Sequence, residues 1–282
     1  MPLGAHVSIA GGVDKAVLRG QQIGCQTIQV FTKGNLRWAA SPLENETLEK
    51  WYQNLKETGI APVVAHDSYL INLASPDERL WQRSLDAFVL EIERCETLSI
   101  PYLVMHPGSH TGSGEEAGLR RIASALDRAR ERAPGARVQV LLETTAGQGT
   151  SLGHRFEQLA QIMELTAVSD RLGVCFDTCH ALAAGYEIRT PEGYVETFQQ
   201  LDQAVGLGRL RVFHVNDSKR DLGSRVDRHQ HIGQGYIGLD GFRLLVNDPR
   251  FREHPMLLET PKGPDMQDDV ENLAILRSLM RY

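Results

Sequence analysis

Residues that can bind metal ions recur along this chain, most of them where a short apolar run ends. Nine such groups are His66, His106, Glu143, Asp177, His180, His214, Asp227, His229 and Glu259. Imidazole and carboxylate together form a ligand set for transition metals, and a zinc ion takes three or four protein ligands. Nine groups with shared carboxylates therefore suit two or three ions rather than one.

Each of these residues alone has a plainer explanation. A single histidine at a strand end is commonly a hydrogen-bonded structural residue, and Asp227-Arg228-His229 could be a solvated loop. Independent structural roles explain poorly why six consecutive runs close in a ligand-type residue, so we favour the metal centre. His6 and Gln29 lie within the first two runs, and His6 could orient a ligand. The histidines predicted to be structural or superficial are His110, His154, His231 and His254.

The apolar runs alternate with helix-like segments along the whole chain. Eight runs occur, at 4–8, 27–32, 62–66, 102–106, 138–144, 172–178, 210–216 and 256–260. Their spacing of roughly 36 residues is that of a βα unit, and their mostly continuous apolar character is typical of strands covered on both faces. The first run lacks a following G-x-G-x-x-G. The pattern predicts an α/β fold, a single (β/α)8 TIM barrel over 1–282 with the metal site at its C-terminal rim.

The helix-like segments show helical spacing, best seen after the third run. Apolar residues separated by four, three, four and three positions are Trp81, Leu85, Phe88, Ile92 and Cys95. Ser75 is a predicted N-cap for this helix, with Pro76 at its first position.

Composition excludes several classes of protein. With 41% hydrophobic and 23% charged residues over 282 positions, the chain is globular rather than disordered or fibrous. No run approaches the ~18 apolar residues of a membrane span, and no secretory signal precedes the first strand. Four cysteines in such a chain indicate reduced thiols, and hence a cytoplasmic location. Cys25 and Cys95 lie in helix-like segments, Cys175 in a strand, and Cys179 between Asp177 and His180. We assign all four to packing.

Several stretches together resemble the bacterial endonuclease IV family, the apurinic/apyrimidinic endonucleases of base excision repair. They are 4–8 with Gly11-Gly12, 66–73, 105–110, 143–149, 176–180, 213–218, 223–229 and 258–261. The resemblance covers essentially the whole chain and implies a TIM barrel with three metal ions. It implies zinc, with Mn²⁺ as an alternative at one position.

The resemblance also implies how the ligands divide. His66, His106 and Glu143 would hold the first ion, and His180, Asp227 and His229 the third. The second would be held by Glu143, Asp177, His214 and Glu259. Glu143, which bridges two ions, and Glu259 are the implied catalytic carboxylates.

Other positions match residues that the family inserts into DNA. Tyr69 and Leu70 match two of them. Arg37 fits the family's Gly-Asn-x-Arg spacing, whereas counting from Phe31 places Leu36 there. Arg228 lies among the ligands, and a cation beside metal ions is useful only where an anion such as a phosphodiester binds.

The implied reaction is hydrolysis of the phosphodiester 5′ to an abasic site, leaving a 3′-hydroxyl and a 5′-deoxyribose phosphate, with 3′-end trimming as a further activity. The partner would be double-stranded DNA containing abasic sites, with no membrane and no obligatory protein partner, and DNA would associate the protein with the nucleoid. A net charge of −6 opposes bulk electrostatic binding of DNA. Three divalent ions against four carboxylates would nevertheless leave the site positive.

Two alternatives remain open. A metal-dependent TIM-barrel sugar isomerase would need only two ions and has no use for Tyr69 and Leu70. A non-catalytic lesion-binding protein would be expected to have lost a ligand.

Overall fold

Strands and helices alternate through the computed structural model, which describes residues 1–263 and 265–281. The strands are β1 (Leu3–His6), β2 (Thr27–Phe31), β3 (Val63–His66), β4 (Tyr102–Met105), β5 (Gln139–Glu143), β6 (Leu172–Asp177), β7 (Leu210–His214), β8 (Asp217–Ser218), β9 (His229–Gln230) and β10 (Met256–Leu258). The helices are α1 (Asp14–Gln22), α2 (Asn45–Thr58), α3 (Glu78–Thr97), α4 (Glu115–Arg132), α5 (Phe156–Leu165), α6 (Thr178–Ala184), α7 (Pro191–Val205), α8 (Gly238–Val246) and α9 (Gln267–Leu279).

Eight of these strands form a closed parallel barrel in the order β1-β10-β7-β6-β5-β4-β3-β2. The predicted TIM barrel is confirmed. Seven of the eight strands stop one or two residues before the end of the predicted run, because the last residues already turn into the loops. The pair β8 and β9 is antiparallel and forms a separate two-stranded sheet.

Side-chain alternation explains how the barrel positions the predicted ligands. A buried cluster consists of Val64, Val104, Leu141, Cys175, Val212 and Leu257. Each of these residues precedes by two positions a ligand-type residue, namely His66, His106, Glu143, Asp177, His214 and Glu259. Residues two apart in a strand point to the same face. These six ligand-type residues therefore form a polar layer at the carboxyl ends of the strands, next to the buried apolar cluster.

The helix α3 shows the predicted apolar face, with Trp81, Leu85 and Phe88 buried. The predicted N-cap is wrong. Asp77 caps the helix, its Oδ1 accepting a hydrogen bond from the Leu80 amide at 2.8 Å. Ser75 instead accepts from the Asp77 amide and closes the turn before the helix.

The four cysteines are buried and free. Cys25 lies in the loop before β2 rather than in a helix. Burial raises the pKa of Cys25, Cys175 and Cys179 to about 12 and that of Cys95 well above its usual range. These thiols stay protonated at neutral pH, as their assigned packing role requires. None of the helices in residues 1–263 and 265–281 has the length and apolar character needed to cross a membrane.

Candidate metal centre

Glu143 lies at the middle of the polar layer and is completely buried. Its Oε2 is 3.1 Å from His66 Nε2 and 3.2 Å from His106 Nε2. Its Oε1 is 3.0 Å from His214 Nδ1 and 3.2 Å from His180 Nδ1. One carboxylate thus faces four imidazoles, two on each oxygen.

The nine predicted ligands come together in three groups whose ligand atoms lie within 4.8 Å of one another. The groups are His66, His106 and Glu143; Glu143, Asp177, His214 and Glu259; and His180, Asp227 and His229. A fourth combination of Asp177, Cys179 and His229 overlaps the others. The pKa of Cys179, raised to about 12 by burial, makes this thiol a poor ligand.

The spacing of the ligand atoms fits a tetrahedral ion. Ligands around zinc at about 2.0–2.1 Å are separated by about 3.3–3.4 Å along each edge of the tetrahedron. In the second group, His214 Nδ1 is 3.0 Å from Glu143 Oε1 and 3.3 Å from Glu259 Oε2. In the third, Asp227 Oδ1 is 3.2 Å from His180 Nε2 and 3.5 Å from His229 Nε2.

The third group also contains two imidazole nitrogens that cannot hydrogen-bond to each other when both are unprotonated. His180 Nδ1 donates to the Thr144 carbonyl at 2.9 Å, and His229 Nδ1 donates to the Glu259 carbonyl at 3.0 Å. These bonds leave the two Nε2 atoms facing each other at 3.4 Å. Two lone pairs cannot bond, so the pair requires a proton or a cation between them. The residues present therefore fit a metal ion.

Carboxylates dominate the electrostatics of the layer. Burial alone would lower the pKa of His66, but Glu143 beside it outweighs burial and raises that pKa to about 10. Burial is also outweighed at His180, by Asp177 and Asp227, and at His214, by Cys175 and Glu259, and the pKa of each is raised well above the usual range. The neighbouring imidazoles hold the pKa of Asp227 at about 2 despite burial. Without metal, His66, His180 and His214 therefore keep a proton at neutral pH, and Glu143, Asp227 and Glu259 stay ionised.

Asn216 and Asp217 support the layer, although the sequence did not single them out as functional. Asn216 Nδ2 donates to Asp177 Oδ2 at 2.7 Å, and its Oδ1 accepts from the Glu259 amide at 2.7 Å. Asp217 accepts from the backbone amides of Ser218, Gly233, Gly235, Ile237 and Gly238. It thus fastens the end of the loop that carries Asp227 and His229. The sequence signal for Asn216 and Asp217 was their position just after His214, where the strand ends.

A cleft of about 380 Å³ opens beside the layer. His106, His180 and Asp227 form part of its wall, together with Tyr69 and Arg228. The loops around 108–109 and 145–151 also line the cleft and are joined by a bridge between Ser109 and Ser151. Three of the nine candidates, His106, His180 and Asp227, thus face a solvent-accessible space.

The predicted DNA-contacting residues are not all in this cleft. Tyr69 is 60% exposed, with its ring 5.3 Å from that of Phe31, and Leu70 beside it is half-buried. Arg37 is exposed in the loop after β2 and borders a different cleft, with Lys33 and Arg94. Leu36 is 69% exposed on the same loop.

A buried ion pair fixes the loop that carries Leu36 and Arg37. Lys33 Nζ is 2.8 Å from Glu91 Oε1, with both side chains almost inaccessible. The same Nζ donates to the Arg37 carbonyl at 2.9 Å. From the same helix as Glu91, Arg94 donates to the Thr32 and Ser41 carbonyls at opposite ends of the loop. Nothing in the sequence pairs these residues, which are more than fifty positions apart.

Comparison with known proteins places this site in a family. Residues 17–279 match the model of the xylose isomerase-like TIM barrel family. A protein of Chloroflexus aurantiacus named "Probable endonuclease 4" is 57% identical over 278 residues, covering 99% of this chain and 98% of that one. One of the same name from Geobacter sulfurreducens is 53% identical, covering 99% and 94%.

The solved structures agree. Endonuclease IV from Thermus thermophilus superposes with a TM-score of 0.88 at 38% identity, covering 99% of this chain and 98% of that one. A D-tagatose 3-epimerase-like protein, at 19% identity and a TM-score of 0.75, shares the fold alone. The three ligand groups, the cleft beside them and these likenesses agree with one another, and the chain belongs to the endonuclease IV family.

Proposed function

We propose that this protein is a metal-dependent apurinic/apyrimidinic endonuclease of DNA base excision repair. It hydrolyses the phosphodiester on the 5′ side of an abasic site. The phosphorus gains a water oxygen and its bond to the upstream 3′ oxygen breaks, which leaves a 3′-hydroxyl and a 5′-deoxyribose phosphate. The observation that carries the proposal is the convergence of nine histidines and carboxylates in three groups beside one cleft, in a chain of this family.

We assign one ion to each group, three Zn²⁺ per chain with Mn²⁺ as an alternative at one position. Bound there, the ions would supply an activated water, charge to neutralise the phosphate and support for the leaving oxygen. Glu143 and Glu259 are the carboxylates assigned to catalysis. Glu143 is suited to a bridging position because its two oxygens face different histidines.

The chain's own side chains bind and orient the substrate. Arg228 is exposed at the cleft and can pair with a DNA phosphate. Tyr69 presents an exposed ring to the same space and can stack where a base is missing. An abasic site has no base edge to be read, so recognition uses the low cost of kinking DNA that has lost a stacked base.

A nicking assay tests the proposal. A duplex carrying one abasic analogue should be cut on the 5′ side of the lesion, whereas the same duplex with an intact base should not. Glu143→Gln should abolish cutting, while Glu116→Gln, which removes a carboxylate 70% exposed on the barrel exterior, should leave it unchanged. A 3′-phosphate end offered in parallel tests the proposed 3′-end trimming.

The isomerase alternative is tested with the same samples. Interconversion of an aldose and a ketose by protein that leaves the abasic duplex intact would overturn the proposed function. Binding to the duplex without cutting, in protein carrying metal in all three groups, would favour a lesion-binding role.

A further inference from the structure

Gln29 connects two ligands of the second group with a residue outside it. The side chain is fully buried, and Gln29 is the middle residue of β2. Its Nε2 donates to Glu259 Oε1 at 2.6 Å and lies 2.9 Å from His6 Nδ1. Its Oε1 lies 2.7 Å from His214 Nε2. One amide therefore touches one carboxylate and two imidazoles.

The chemistry of these partners fixes the orientation of the amide. An ionised carboxylate can only accept hydrogen bonds, so the group facing Glu259 must be the NH₂ of Gln29. The amide oxygen then faces His214 Nε2. Because that oxygen only accepts, His214 Nε2 must carry a hydrogen.

That hydrogen determines which nitrogen of His214 is available for a metal. In a neutral ring with its hydrogen on Nε2, the lone pair that can bind a metal is on Nδ1. Nδ1 faces the other members of its group, at 3.0 Å from Glu143, 3.3 Å from Glu259 and 3.9 Å from Asp177. The second hydrogen of the amide points to His6 Nδ1, which must then act as an acceptor. Gln29 thus sets the state of two histidines and the direction of one carboxylate.

We infer that Gln29 is a positioning residue that prepares the second group for its ion and sets how tightly that ion is held. The inference rests on the metal centre proposed above. Residues that fix the tautomer and direction of a ligand typically change metal affinity by about 10–100-fold when removed. We expect an effect of this size, confined to the ion held by Glu143, Asp177, His214 and Glu259.

Only an amide meets all three partners. A carboxylate in its place could accept from His214 but would set two negative oxygens against each other at the 2.6 Å contact with Glu259. A thioether of similar length would neither accept usefully from His214 nor donate to Glu259. Gln29→Glu and Gln29→Met therefore disturb the group in different ways.

Competitive titration with Zn²⁺ and a chromophoric chelator tests the inference. Gln29→Met should hold one ion about 10–100-fold more weakly and the remaining ions as tightly as the wild type. Gln139→Met is the matched control. Gln139 is also a barrel-strand residue, the first of β5, and lies at the opposite end of the barrel. Its substitution removes two hydrogen bonds, one donated to the Leu172 carbonyl and one accepted from Arg211. It should leave every affinity unchanged.

The outcomes separate this inference from the proposed function. If the wild type binds no Zn²⁺, the metal centre itself is wrong. If wild type and Gln29→Met bind the same ions equally tightly, only the role of Gln29 is overturned. Equal weakening of every ion in both variants would also overturn it, since that would report general loosening of the barrel.

A measurement on the wild type covers the case in which Gln29→Met does not fold. Nitrogen-15 NMR of the zinc-loaded protein reports which nitrogen of each imidazole carries hydrogen. His214 should show hydrogen on Nε2 and none on Nδ1. Hydrogen on Nδ1 would refute the inference directly.

Discussion

The substitution Tyr69→Ala tests whether this side chain serves lesion recognition or packing of the protein. The side chain is 60% exposed, and its ring makes an edge contact with Phe31 at 5.3 Å. Removing it gives up little buried area, so we expect a loss of about 1 kcal/mol in the free energy of unfolding. For a chain of this size that is a fall of roughly 2–4 °C in Tm.

The expected effect on DNA binding is larger. Stacking of a base on an aromatic side chain contributes about 1–3 kcal/mol, as measured by alanine substitution. Affinity of Tyr69→Ala for an abasic duplex should therefore fall roughly 5- to 150-fold. The loss should be smaller on single-stranded or already kinked DNA, where less stacking has to be replaced. Metal content should not change, since Tyr69 belongs to none of the three groups.

Binding can be followed by fluorescence anisotropy with a labelled abasic duplex, beside thermal unfolding and metal analysis. Tyr52→Ala is the matched control. Tyr52 is also an exposed tyrosine, at 43%, but it contacts Thr97 and Ser99 at the other end of the barrel. Equal losses on every DNA substrate, or a fall in Tm well beyond that of the control, would show that Tyr69 serves packing.

Four further perturbations address the centre and its supports. Prolonged chelation should lower Tm and nicking together, because bound ions stabilise only the folded state, and full activity in metal-free protein would contradict the mechanism. Glu259→Gln should still bind abasic DNA but cut about 10–100-fold more slowly in single-turnover assays, since it removes one charge from the second group. A near-parental rate would exclude Glu259 as a ligand. Loading metal-free protein with Zn²⁺ should release protons, because Glu143 holds the pKa of His66 at about 10. The apparent affinity for Zn²⁺ should therefore rise from pH 6 to pH 8. Calorimetry in buffers of different ionisation enthalpy measures the proton release, and a pH-independent affinity would refute the prediction. Glu91→Gln should cost about 3–5 kcal/mol in unfolding free energy, because Lys33 is left buried without its partner; urea unfolding that matches the wild type would show that the pair contributes no stability.

The barrel and the nine ligand candidates could be predicted because they depend on local patterns. Period-two alternation forces His66 onto the same face as Val64, and His214 onto the same face as Val212, whatever the rest of the chain does. The division into three groups came from the family resemblance rather than from the residues, because the sequence contains no distances between strands.

The supporting residues could not be predicted for a related reason. Asp217 is held by amides up to twenty-one positions away, which meet it only after the loop has folded. Gln29 acts on Glu259 from 230 positions away. The N-cap of α3 was predicted wrongly for a local reason. Ser75 and Asp77 are both residue types that favour the N-cap, and the conformation of the turn between them decides which one caps the helix.

The buried thiols bear on how the protein withstands peroxide. Peroxide attacks the thiolate rather than the thiol, and oxidation follows exposure as well as ionisation. All four cysteines are buried, and the pKa of each is raised, to about 12 for three of them. The nine candidate ligands are nitrogen and oxygen donors, which have no sulfenic or sulfinic acid to form. A centre built in this way keeps its ligands during oxidative stress, when a zinc site made of cysteines would lose its ion.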